Sequence, residues 1–352
     1  VAKSKQDIAT TEKAASGFGA WAKSTFSNQS ALLVVTLVIL AILFQIGSEG
    51  IFLNFGTLNT ILEDWGSYIL LAIAETFVVI TGGIDLSVGA TVSLSSVVAG
   101  WVLVQGMHLD ATTQGSAAVP YVLLATLVAL LVGLAVGALN AFLINILKIV
   151  PFIATLATMG AIGGLAIIIS GGMPLQGPND FDLGIAYTLG GVQLPISTTI
   201  VCVLVITVIA GLYLHKTRFG LYTFALGSNP FATRAAGISP ARHLTKIYML
   251  SGGLAGLAGA YAYVRLGAGS PSNGAGMELY AIAATVIGGA SLMGGVGRIV
   301  GIALGTLVLF TVQSGLLMVK VVTVSPDLKQ VIVAILIAAA VAVQTLQKSN
   351  RR

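Results

Sequence analysis

The chain has 352 residues, 56% of them hydrophobic and only 8% charged, with a formal net charge of +5. Soluble domains carry about 25% charged residues. A solvated surface is therefore excluded, and the fold class is all-α, a polytopic membrane protein. The single cysteine, Cys202, makes no intrachain disulfide and no cysteine metal cluster. His108, His215 and His243 are far apart, in predicted loops, which argues against a metal site. The 43 glycines read mainly as packing positions, because small residues let membrane helices approach closely.

Residues 1–29 are polar, with Lys3, Lys5, Lys13 and Lys23. No apolar core with a small-residue cleavage site follows, so no cleaved signal peptide is predicted. Apolar runs then lie near 30–47, 66–82, 86–105, 120–147, 151–170, 195–214, 246–264, 279–293, 298–317 and 328–346. These predict about ten spans, each near the ~20 residues that cross ~30 Å of hydrocarbon. The second, third and eighth are interrupted or short.

The second and third runs carry the strongest local clue. Glu75 and Asp85 sit in apolar sequence, separated by Gly82 and Gly83. A charge near the centre of a membrane helix costs about 2.5–3.5 kcal/mol on insertion scales, so it faces a polar pathway or a partner. Broken backbone at that depth is tolerated only where protein or water satisfies it. Glu75 lies mid-helix and reads as a path residue or one paired to a neighbour. Asp85 reads equally as a path residue or as a cap for the third span, assisted by Ser87.

The stretch from Thr285 to Gly297 echoes Thr76 to Gly89, with Gly288, Gly289, Gly294, Gly295 and Gly297 as punctuation. Both fall at a helix reversal on the predicted cytoplasmic side. They read as two similar glycine-rich breaks and not as a duplication. Gly82, Gly83, Gly89, Gly288 and Gly289 are the candidate helix-break glycines.

With ten spans both termini lie on one side. Placing them in the cytoplasm puts fourteen cations inside: Lys3, Lys5, Lys13, Lys23, Lys148, Lys216, Arg218, Arg234, Arg242, Lys246, Arg298, Lys348, Arg351 and Arg352. Only Arg265, Lys320 and Lys329 fall outside, as the positive-inside rule requires. The longest inside loop, His215 to Lys246, predicts a helix of about two turns. Asn229 caps it, Pro230 takes its first position, and Gly237 and Pro240 end it.

These motifs together resemble the permease subunits of bacterial ABC sugar importers, in the ribose, xylose, arabinose and galactose branch. The resemblance rests on the octet Gly82 to Gly89, on Pro151-Phe152-Ile153-Ala154-Thr155-Leu156, and on Gly171-Gly172-Met173-Pro174. It rests further on Asn229 to Ile238 and on Glu278 to Ala284 with the following glycines and Arg298. The motifs come in the family's order and span about 66–346. Tyr280 departs from the family's usual Asp, and Gly163-Gly164 from the Arg-Gly of many members. The loss of both charges leaves a polyol, a deoxy sugar or a furanone-type signal open as substrate.

The resemblance implies a cytoplasmic segment 1–29, a permease domain 30–347 with its coupling loop at about 215–246, and a cytoplasmic tail 348–352. It implies the bacterial inner membrane, a second permease copy in a homo- or heterodimer, and a periplasmic or lipid-anchored solute-binding protein. Asn229, Arg234, Ala235, Ala236, Gly237 and Ile238 would dock on a cytoplasmic ABC ATPase. No lysine in the sequence follows a glycine, so the phosphate-cradling loop is absent from it. ATP and magnesium are expected on that partner; this chain binds no cofactor, is not an enzyme and takes no nucleic acid. Asn140 and Asn145 would bind sugar hydroxyls or join helices, and Phe77, Phe152 and Tyr280 would stack on a sugar ring or simply pack. The competing reading is an ion-coupled secondary transporter that uses Glu75 and Asp85 as proton or sodium sites.

Overall fold

The computed structural model describes residues 29–110, 112–113, 117–178, 187–189, 192–194, 197–319, 331 and 335. Its helices are α1 (Gln29–Gly47), α2 (Phe55–Ile80), α3 (Val88–Trp101, continued by a π turn Val102–Gly106), α4 (Val119–Asn145) and α5 (Pro151–Ser170). There follow α6 (Thr198–Lys216), α7 (Arg218–Ser228), α8 (Pro230–Ala235), α9 (Pro240–Leu266), α10 (Met277–Ile287) and α11 (Ile299–Met318). Two short antiparallel pairs, unforeseen in the sequence, join β1 (Leu175–Gln176) to β4 (Ala268–Gly269) and β2 (Tyr187–Leu189) to β3 (Val192–Leu194).

Seven helices among the described residues are long and apolar enough to cross a membrane, and Met277–Ile287 is a shorter apolar one. The ten-span expectation thus reduces to a polytopic helical bundle. Most of the tenth run, near 328–346, lies outside the described residues, as do residues 1–28 and the tail.

Boundaries move where capping overrides hydropathy. The second helix starts at Phe55, well before its apolar run, because the Asn54 side chain accepts from the Gly56 N–H at 2.7 Å. This brings Glu63 and Asp64 into α2, where Arg265 at the end of α9 pairs with Asp64 at 2.7 Å and with Glu63 at 3.9 Å. Ser239 caps α9, so that helix begins at Pro240. Within the predicted loop α7 forms an extra helix, capped by Thr217. His215 and His243 accordingly lie in α6 and α9 rather than in loops.

The centre of the bundle is α9, the most buried of the long apolar helices. It packs on α2, α3 and α4. Its contact with α4 is backbone against backbone. A Cβ at Gly133 of α4 would overlap the carbonyl oxygen of Gly252 on α9, and one at Gly252 would overlap that of Gly133. Gly137 meets the Tyr248 carbonyl and Gly256 meets that of Ala129 in the same way. Lipid tails give no hydrophobic drive for helix association, so this close approach supplies the packing itself.

Gly252→Val is expected to cost about 1–3 kcal/mol or more by overpacking the seam. Gly163→Ala is the control, because nothing lies within 4 Å of a Cβ at that position. Thermal melting of the purified protein in detergent checks both, and an unchanged midpoint for Gly252→Val would contradict the seam.

Candidate functional site at the broken helix

Glu75 lies within the fully buried stretch of α2, itself 0% exposed. The helix stops at Ile80. Thr81 N–H folds back to the Val78 carbonyl at 3.0 Å, and Gly82 takes φ +80°, a backbone region that disfavours other residues. Residues 82–87 then run without helix until α3 begins at Val88. Asp85 stands in this break and is 1% exposed.

Four donors converge on Asp85. Its Oδ1 accepts from Ser87 N at 3.0 Å, Ser87 Oγ at 2.6 Å and Asn140 Nδ2 at 3.4 Å. Its Oδ2 accepts from Ser251 Oγ on α9 at 2.9 Å. Asn140 Nδ2 also donates to Ser87 Oγ at 2.8 Å. Thr155 on α5 accepts from Leu86 N and donates to the Ile84 carbonyl, each at 3.2 Å. The break is thus stapled from α4, α5 and α9.

Glu75 is less well served. Its Oε1 accepts from the Asp85 N–H at 3.2 Å. Its Oε2, the Asn140 Oδ1 and the Tyr248 hydroxyl are buried without a hydrogen-bond partner. Tyr248 shares a face of α9 with Ser251, and a Cβ on Gly83 would come within 2.7 Å of its hydroxyl. Among the described residues neither carboxylate pairs with a cationic side chain. The cluster is a set of strong acceptors closed off from water in this conformation.

Glu75, Asp85 and Asn140, proposed separately from the sequence, therefore meet. The others stand elsewhere. Asn145 donates to the Ala241 carbonyl and to Thr245 Oγ1, each at 3.0 Å, tying α4 to the start of α9. Phe77 joins the rings of Phe219 and Tyr213, with centroids 6.1 and 6.5 Å away. Tyr280 meets Tyr68 edge-on at 5.6 Å. Phe152 is 47% exposed. Gly89 lies inside α3 rather than in a break, where a side chain would crowd the Gly274 carbonyl. Gly288 ends α10, and Gly289 follows with φ +101°.

Ser251, Tyr248 and Thr155 were missed as site residues. The signal for the first two was the run of small residues Gly252, Gly253, Gly256 and Gly259. It marks a helix whose polar side chains must face protein. Thr155 belongs to a motif recognised in the sequence but given no role there.

The predicted loop helix forms as α8, six residues long rather than about two turns. Asn229 Oδ1 accepts from the Ala232 N–H at 2.9 Å. Gly237 turns the chain at φ +82°, its N–H donating to the Arg234 carbonyl at 3.0 Å, while Ile238 N–H donates to that of Thr233 at 3.2 Å. Ala235, Ala236 and Arg234 are exposed, and a cleft of about 540 Å³ beside them is lined by Asn145, Lys148, Arg234 and Ile238.

The two glycine-rich breaks pack on each other. Gly295 N–H donates to the Ile80 carbonyl, the last of α2, at 2.8 Å. A Cβ on Gly227, near the end of α7, would overlap that same oxygen, and one on Gly294 would lie 2.9 Å from the Gly227 oxygen. Three backbones meet there, joining the start of α8 to the break that holds Asp85.

A helical membrane bundle with a polar helix break, linked to a short capped helix outside the spans, has the build of a transport permease subunit. The family model described as branched-chain amino acid transport system / permease component matches residues 57–341. The chain belongs to this permease family. It is similar to the ribose import permease protein RbsC of Escherichia coli strain K12, 33% identical over 95% of this chain and 98% of the relative. It is also similar to RbsC of Bacillus subtilis strain 168, 39% identical over 70% of this chain and 72% of the relative. The D-allose transport system permease protein AlsC of Escherichia coli K12 is 33% identical over 91% of this chain and 93% of the relative. No solved structure matches the chain.

Asp85→Ala is expected to destabilise the protein by about 1–3 kcal/mol, since the buried donors of Ser87, Asn140 and Ser251 lose their shared acceptor. Glu75→Gln keeps an acceptor for the Asp85 N–H and is expected to cost less. Melting both variants in one detergent checks this, and equal losses would deny Asp85 its anchoring role.

Proposed function

We propose that this chain is the membrane subunit of an ATP-driven importer that moves a monosaccharide or related small polar solute into the cytoplasm. The observation that carries this is the junction of Ile80, Gly227 and Gly295, which ties α8 to the broken helix. Membership of the family and the import names of the ribose relatives support the same reading. ATP and magnesium sit on a separate ATPase, which docks on Asn229 to Ile238. A periplasmic or lipid-anchored binding protein delivers the solute, and a second permease copy completes the pathway. The protein lies in the inner membrane with both termini in the cytoplasm.

Glu75, Asp85 and Asn140 are the residues we assign to the path, exposed when the break opens. Their acceptor-rich chemistry suits hydroxyl donors of a sugar or polyol. Phe77 and Tyr280 pack on other rings and are not assigned to that path, and Asn145 would hold α4 against the coupling segment. The absence of any cationic partner for Glu75 and Asp85 among the described residues also suits an ion-coupled carrier, so the decisive assay must separate the two.

Reconstituted with ATPase and binding protein, the permease is expected to accumulate solute only when ATP is supplied. Accumulation by the permease alone, driven by a proton or sodium gradient, would replace this reading with the secondary carrier. In the same assay Glu75→Gln is expected to lower uptake while the complex still assembles, and normal uptake would remove Glu75 from the path.

Gly237→Val places a β-branched side chain at φ +82°, which costs about 1 kcal/mol or more. It is expected to insert normally but to lose its ATPase, or to leave ATP hydrolysis unresponsive to loaded binding protein. Unaltered copurification of the ATPase together with full transport would show that α8 is a plain connector.

A further inference from the structure

Two large apolar side chains stand out as the most exposed among the described residues. Phe231 is 88% exposed and Met293 is 86% exposed. Neither belongs to a helix long and apolar enough to cross a membrane. Phe231 is the second residue of α8. Met293 tips the loop between α10 and α11.

That loop is held rigidly. Ser291 N–H donates to the Val296 carbonyl at 3.0 Å, Gly294 N–H to the Ser291 carbonyl at 2.8 Å, and Gly295 N–H to the Ile80 carbonyl at 2.8 Å. Its Gly294 and Gly295 backbone rests on Gly227 and Ser228, the residues just before the α8 cap. The loop and α8 therefore stand at the same end of the bundle on one junction. Leu292 and Val296 widen the apolar patch, 40% and 56% exposed. Exposed Arg234, Arg242 and Arg298 come from α8, the start of α9 and the end of this loop.

We propose that the Ser291–Gly297 loop is a second docking element for the ATPase subunit, with Met293 and Phe231 as its paired apolar anchors. The inference rests on the importer reading above. Contact energy concentrates in a few apolar and aromatic anchors, and an unbranched thioether fills an irregular pocket well. The arginines select an acidic rim on the partner. The loop is continuous with the α8 face through backbone contacts, so one partner covers both. Its bond to Ile80 adds a hydrogen-bonded link to the contact that Gly227, just before α8, makes with the same carbonyl: displacement of the docked loop pulls directly on the end of α2, five residues from Asp85.

Cys202→Ser removes the native thiol. Phe231→Cys and Met293→Cys are then labelled singly with a photoactivatable thiol reagent, in membranes holding permease, ATPase and binding protein. Adducts are identified by mass spectrometry. Both positions are expected to capture the ATPase. Capture from Phe231→Cys alone, with Met293→Cys marking only lipid or a second permease, overturns this inference and leaves the coupling helix standing. Capture from Met293→Cys alone supports the loop contact and overturns docking through α8. No ATPase adduct at either position, in a complex that transports, overturns both. In parallel, Met293→Asp is expected to weaken retention of the ATPase about tenfold, the scale of one lost anchor, and Met293→Leu to preserve it. Equal retention by wild type and Met293→Asp overturns the proposal.

Discussion

Everything at the centre of this bundle depends on how closely α4 and α9 approach. Glycines at 133, 137, 252 and 256 let the two backbones touch, so that helix carbonyls sit where side chains would otherwise stand. Asn140 follows Gly137 by one turn on α4, and Ser251 immediately precedes Gly252 on α9. The seam therefore carries both polar side chains to Asp85 from two helices. Were the helices held apart by larger residues, those donors would fall short. Asp85 would then bear the cost of a carboxylate at membrane depth without compensation.

The break in α2 is a second consequence of small residues. A helix that ends inside a membrane bundle leaves carbonyls without partners, and each must find one in protein. Ile80 finds the N–H of Gly295, from a loop more than two hundred residues away. Only glycines at 227 and 294 leave room for that loop. The requirement to satisfy one carbonyl thus welds three segments that are remote in sequence, and one of them leads directly into α8. The segment that leads into α8 is thus joined to the end of α2 by hydrogen bonds and close backbone contacts.

The opposite end of α2 is held by charge. Arg265 closes α9 onto Asp64 and Glu63, near the start of α2. With 26 residues α2 spans about 39 Å, so one helix joins the Arg265 ion pairs to the glycine junction. The partly buried ion pair and the buried carbonyl bond fix its two ends. Between them Glu75 is carried through the core with one oxygen bonded and the other unpartnered.

The sequence by itself determined the class of molecule, because composition and runs of apolar residues follow from the bilayer as solvent. It also determined the cap of α8, since Asn229-Pro230 and Gly237 act on neighbours a few residues away. It flagged Glu75, Asp85 and both glycine-rich breaks, because charge and glycine in apolar runs are conspicuous without coordinates. Tertiary structure alone decided which of these meet. Asp85 gains Asn140 and Ser251, while Asn145, Phe77 and Tyr280 go to other neighbours, because partners across 55 and 166 positions of sequence are set by helix packing and not by local pattern. The early start of α2 at Phe55 likewise escaped a hydropathy reading: its first turns mix polar with apolar residues, and the Asn54 cap, the distant Arg265 and the Tyr261 hydroxyl on the Glu63 carbonyl help to hold them. The echo between the two glycine-rich breaks was legible as a likeness. That the two breaks pack on one another was decided by the fold, since close contact of backbones leaves no mark on a sequence beyond the missing side chains.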